Sequence, residues 1–157
     1  MLAVSSTSGD LEIDELAALN KAAADVMRLQ ILQLLQQDSF GVLEIADIFE
    51  VSQSRMSHHL KILASAGLLT TRREGNSIFY RRAVMSKNTM DAVRHSILKA
   101  VDHLESNSHI QDAVSRIYKE RAMQSQSFFE KHADKLTDVQ DLIAGYEHYA
   151  DSVDEVM

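Results

Sequence analysis

The sequence predicts a mainly α-helical fold carrying one two-stranded β-hairpin. Three observations predict it. Apolar residues recur at helical spacing over most of the chain. The period changes once, to alternation, over residues 68–82. No proline interrupts the helical stretches.

Residues 1–9 are small and polar and should fray. Asp10 can cap a helix running through Leu11, Leu16 and Leu19 to about Ala24. In the next helix, 24–35, Met27, Ile31, Leu34 and Leu35 make one apolar stripe. Asp38-Ser39-Phe40-Gly41 breaks it. A short amphipathic helix over 42–49 is then joined through Glu50-Val51 to a second, 51–63. In that second helix Val51, Met56, Leu60 and Leu63 should point inward, and Gln53, Ser54, Arg55, Ser57, His58, His59 and Lys61 outward. Ser52 is a good N-cap, because its hydroxyl can satisfy an orphan backbone N–H. Two short helices with a tight turn, the second polar and basic outside, predict a helix-turn-helix. Such a motif lays its second helix in the DNA major groove.

Ala66-Gly67 supplies a helix stop. Two strands, 68–73 and 77–82, flank Glu74-Gly75-Asn76, with Ile78 and Tyr80 facing one way and Phe79 and Arg81 the other. A basic hairpin directly after a helix-turn-helix is a wing, and Arg72, Arg73, Arg81 and Arg82 carry its charge. Residues 88–105 return to helix, with Met90, Val93, Ile97, Leu98, Val101 and Leu104 on the apolar side. Ser108 with Gln111 has the spacing of a capping box and opens another helix, through Ile110, Val114, Ile117, Tyr118 and Phe128 to about His132. Thr137 with Gln140 repeats that spacing and predicts a separate last helix, 138–156, with Val139, Leu142, Ile143, Tyr146, Tyr149 and Val153 on one side. The expected organisation is a winged helix-turn-helix domain with its first dimerisation helix over 1–105. A helical extension over 106–157 enlarges the dimer interface.

A net charge of −7 over 157 residues is unlike a DNA binder until it is divided. Residues 1–51 hold two basic and nine acidic groups, and 91–157 hold seven and thirteen. Residues 52–90 hold seven basic groups and Glu74 as their one acid. A basic face on an acidic body attracts phosphates locally and orients the approach. The chain has no cysteine, which removes disulfides, thiolate metal sites and thiol redox sensing. There is no membrane-length apolar run and no signal-peptide pattern, so a cytoplasmic address is expected. The residues offer no nucleophile with its base, and His58-His59 sits where DNA contact is expected, so an enzyme is not expected.

The segments 24–32, 52–63, Ala66-Gly67-Leu68-Leu69, Arg72-Arg73-Glu74-Gly75 and Phe79-Tyr80, in this order and spacing, resemble the ArsR/SmtB-type winged-helix repressors over roughly residues 12–105. The resemblance implies a homodimer on an inverted-repeat operator, released by an inducer, with no cofactor. It places Gln53, Ser54, Arg55, Ser57, His58, His59 and Lys61 on DNA, with Arg72, Arg73 and Asn76 on the backbone. One departure is Val26, where the family usually has proline. Another is the sensor: Gly41 and Leu43 occupy the positions of the paired cysteines, so no metal site is expected there.

The alternative is a zinc-type repressor using His and carboxylate ligands, drawn from Asp91, His95, Asp102, His103 and Glu105. Against it, Val93 stands where the zinc sensors have histidine. A remoter alternative is a winged helix that binds protein alone. Lys119-Glu120-Arg121-Ala122, Phe128-Phe129 and His132-Ala133-Asp134 resemble the connector of regulators fused to a methyltransferase, but no Gly-rich nucleotide loop follows. Tyr118, Phe128, Phe129, Tyr146 and Tyr149 are then candidates to line a small-molecule effector pocket, for instance for a methylation-cycle metabolite. Packing of helix on helix accounts for them more simply.

Overall fold

The computed structural model describes residues 8–86 and 88–154, with side chains over 9–86 and 88–133. The elements run α1 (Ser8–Ala23), α2 (Val26–Leu34), β1 (Phe40–Gly41), α3 (Val42–Ile48), α4 (Gln53–Ser65), β2 (Leu69–Glu74), β3 (Ser77–Arg82), α5 (Thr89–Asp102) and α6 (Ser108–Asp154). The chain divides into two compact units, one ending at Val114 and one starting at Ser115.

The helices of the first unit bury most of the apolar positions their spacing sets. Leu11 and Leu104, expected to point inward, are instead 62% and 66% exposed, and α5 ends at Asp102, before Leu104. Leu19 of α1, Ile31 and Leu32 of α2, Ile45 of α3, and Met56, Leu60 and Leu63 of α4 are fully buried with Phe40 and Leu68. Burial of each such side chain contributes about 1.5–3 kcal/mol. Asp25 caps α2 by accepting the Arg28 backbone N–H at 3.0 Å. Helix entry at Val26 therefore does not need proline. Asn88 caps α5 in the same way through the Asp91 N–H.

The sheet has three strands, not two, in the order β1-β3-β2 and all antiparallel. Phe40 and Gly41, expected only as a helix break, pair with Tyr80 and Phe79. Two residues are too short for an alternation signal, so this strand exists only because β3 offers its free edge. The hairpin forms with Leu69 opposite Arg82 and Glu74 opposite Ser77, so Glu74, expected in the turn, belongs to β2 and the turn is Gly75-Asn76 alone. Gly75 takes φ +60 while Asn76 does not have positive φ, as in a type II′ turn.

A second correction concerns the C-terminal region. The expected break near 133–137 does not occur, and α6 is continuous from Ser108 to Asp154. The stretch between the two expected helices, 133–137, contains neither glycine nor proline. A Thr-x-x-Gln spacing inside a helix needs no helix start to explain it. No helix among the described residues is long and apolar enough to cross a membrane.

Candidate nucleic-acid interface

The turn between α3 and α4 is built by the backbone. Glu50 N–H donates to Asp47 C=O at 3.1 Å and Val51 N–H to Ala46 C=O at 3.0 Å, with Glu50 at φ +55. This is the double hydrogen bond of a Schellman motif with glutamate in the left-handed position. Ser52 Oγ then accepts the Arg55 N–H at 3.2 Å and starts α4. At its other end α4 closes with the same motif: Gly67 N–H donates to Ala64 C=O and Leu68 N–H to Leu63 C=O, with Gly67 at φ +75.

α4 is held on its inner side at three levels. Met56, Leu60 and Leu63 enter the core. Arg94 of α5 donates through Nε to Ala66 C=O at 3.0 Å, placing a cation at the C-terminal end of α4. Arg94 is itself fixed by Asp91 at 2.8 Å and Glu15 at 2.6 Å, which joins α1, α4 and α5. The third level is Arg28 of α2, whose Nη1 meets His59 Nδ1 at 3.2 Å.

That contact corrects the expectation for His59. It is buried, 8% exposed, and faces α2 rather than solvent. Burial, the largest influence, holds its pKa below the ordinary histidine value, with Arg28, Arg55 and His58 acting in the same direction and Asp25 against them. The signal was present in the spacing: 59 lies three residues after Met56 and four before Leu63, on the inner face. Gln53, Ser54, Arg55, His58 and Lys61 are exposed, as expected, and Ser57 is half-buried.

The wing places Arg72, Arg73, Asn76 and Arg81 in solvent. The register puts Arg72 on the face of Phe79, and Arg81 on that same face opposite Thr70; Arg73 lies on the other face with Ile78. Arg72 makes an exposed ion pair with Glu74 at 3.4 Å, which holds it weakly. Arg82 does not belong to the charged surface. It turns inward, donates to Leu32 C=O, and forms a two-pronged pair with Asp102 at 2.9 and 2.6 Å. This anchors the wing's last residue to α2 and α5.

Two of the three carboxylates considered for a zinc site, Asp91 and Asp102, are engaged elsewhere. Asp91 accepts from Ser86 and Arg94, and Asp102 from Arg82. Among the described residues no three His, Asp or Glu converge on one point. Of the effector candidates, Tyr118, Phe128 and Phe129 are exposed along α6. Ten residues separate Tyr118 from Phe128, about 15 Å of helix, so these side chains do not gather around one cavity. The side chains of Tyr146 and Tyr149 lie outside the described residues.

The sequence profile of the bacterial regulatory proteins of the arsR family matches residues 25–71, from the cap of α2 into β2. The arsenical resistance operon repressor of Bacillus subtilis is 44% identical over 61 residues, 38% of this chain and 58% of that protein. The chain thus spans less than two thirds of that relative's length. The transcriptional activator HlyU of Vibrio cholerae is 37% identical over 79 residues, 50% of this chain and 73% of HlyU. Among solved structures, the homodimeric winged helix-turn-helix DNA-binding domain of Mb0332 from Mycobacterium bovis is similar with a TM-score of 0.51 and 32% identity. That alignment covers 64% of this chain and 91% of the domain.

Proposed function

The chain belongs to the ArsR family of bacterial regulatory proteins, and we propose that it is a sequence-specific DNA-binding regulator of transcription, a repressor acting as a homodimer on an inverted-repeat operator. The observation that carries this reading is the exposed polar face of α4 standing beside a hairpin with Arg72, Arg73 and Arg81 in solvent. Gln53, Ser54, Ser57 and His58 read base edges from the first turns of α4. Arg55 and Lys61 divide between bases and phosphates, and Arg72, Arg73 and Asn76 hold the backbone. His59, being buried, orients α4 instead of touching DNA.

The similar domain of Mb0332 is homodimeric, which supports a dimer here. Residues 1–105 act as the DNA-binding domain, and 106–157 enlarge the contact between copies. Release follows an effector that is not sensed by thiolates, since the chain has no cysteine.

The test is footprinting on the chain's own upstream region. Two protected half-sites with centres about 34 Å apart, one turn of duplex, are expected. Binding should weaken steeply as salt rises. A protein that protects no site and binds DNA independently of salt would contradict the proposal.

A further inference from the structure

From Tyr118 onward, α6 carries a second apolar face. Tyr118, Phe128 and Phe129 are exposed on it, at 38%, 59% and 58%. The sequence along the helix repeats apolar positions at alternating intervals of four and three: Tyr118, Ala122, Ser125, Phe129, His132, Leu136, Val139, Ile143, Tyr146, Ala150 and Val153. Ser125 and His132 are the two polar members. This is a heptad seam, with 122, 129, 136, 143 and 150 at a and the others at d. It spans about 53 Å at the rise of an α-helix. A seam of this length buries itself only against another helix.

We infer that the occupant of this seam is the same segment of a second copy, running antiparallel. Charge is the first argument. The charged residues flanking the seam are Lys119, Arg121 and Lys135 in its first half, and Glu147 and Asp154 in its second. Over 136–154 the chain holds five acidic residues and no lysine or arginine. Parallel strands would set these acidic halves side by side. Antiparallel strands set each against the other copy's basic half.

Layer size is the second argument. Pairing 136 with 139 of the other copy puts Phe129 level with Tyr146, Ala122 with Val153, Ser125 with Ala150, and His132 with Ile143. Lys119 then falls within about 3 Å along the axis of the level of Asp154. Large layers meet large ones and small meet small, under a two-fold axis that makes the contact self-complementary.

This inference stands without DNA binding, and its test reads no DNA. The chain is cysteine-free, so introduced thiols report pairing directly. In the full chain, Ala122→Cys/Val153→Cys should give a covalent dimer on mild oxidation, while Ala122→Cys alone should not. Adding Phe129→Glu to the double variant should lower the cross-linked yield about tenfold, because it puts a charge in the central apolar layers. Circular dichroism of each variant checks that helix content is kept. Cross-linking by Ala122→Cys alone would mean parallel strands and overturn the inference. So would a double variant that does not cross-link, or one whose cross-linking is indifferent to Phe129→Glu.

Discussion

Arg28 Nη1 donates to His59 Nδ1 across 3.2 Å between α2 and the inner face of α4, with both side chains buried. A guanidinium has no acceptor, so Nδ1 must present its lone pair and the imidazole is neutral, with its proton on Nε2. Arg28 is further spent on Ala22 C=O at 2.8 Å and Lys21 C=O at 3.1 Å. The pair therefore holds α4 to α2 only while His59 is uncharged. Protonation would replace the hydrogen bond with two adjacent cations, with Asp25 alone in opposition.

Stability should consequently fall with acid. The folded-state pKa of His59 lies below its ordinary value of 6.5, so below that pH the unfolded chain binds more protons. The contribution is complete above about pH 6.5, declines as pH drops toward the folded pKa, and levels off beneath it. Urea unfolding at pH 7.5, 6.5 and 5.5 checks this. His59→Gln keeps a neutral hydrogen-bonding group and should show a shallower loss than wild type. Equal losses in the two proteins would contradict the role given to His59.

The left-handed residues at the two ends of the helix-turn-helix predict opposite effects. Glu50 at φ +55 carries the strain of a β-carbon in that region, so Glu50→Gly should stabilise by about 0.5–1 kcal/mol. Gly67 at φ +75 has no such strain, and a β-carbon there would meet Arg94 Nε at 2.9 Å. Gly67→Ala should destabilise by about 1–3 kcal/mol by straining the backbone and pushing Arg94 from Ala66 C=O. Denaturant midpoints at constant m check both. A stabilised Gly67→Ala would contradict the close packing of Arg94.

Much of this site was legible in the sequence. Ser52 announced the start of α4, Ala66-Gly67 its end, and Gly75-Asn76 the wing turn. Those signals are local, and each acts through hydrogen bonds within a few residues. The burial of His59 was readable from its spacing and was passed over, while other misses depend on distant partners. Arg82 and Arg81 are neighbours in one strand, and only the positions of Asp102 and Leu32 send one inward and leave the other in solvent. β1 needs the edge of β3 to exist. The unbroken α6 was missed for the opposite reason: a capping spacing was given more weight than the absence of any residue that breaks a helix.

The anchoring of the wing through Arg82 predicts a stability cost. Its side chain and that of Asp102 are 15% and 23% exposed, so the pair is only partly screened by water. Asp102→Ala should destabilise by about 1–3 kcal/mol, since Arg82 keeps Leu32 C=O as a partner but loses its counter-charge. Thermal unfolding measures it. A change within about 0.5 kcal/mol would place Asp102 among ordinary surface charges.

The division of labour between α4 and the wing is tested most directly by titrating wild type, Gln53→Ala and Arg72→Ala against the footprinted operator and a random duplex, each at several salt concentrations. Arg72→Ala should weaken both duplexes alike and reduce the salt slope by about one. Gln53→Ala should weaken the operator selectively, by about 1–3 kcal/mol, and leave the slope unchanged. If both substitutions lower operator and random binding in the same proportion, α4 does not read sequence and the central claim is wrong.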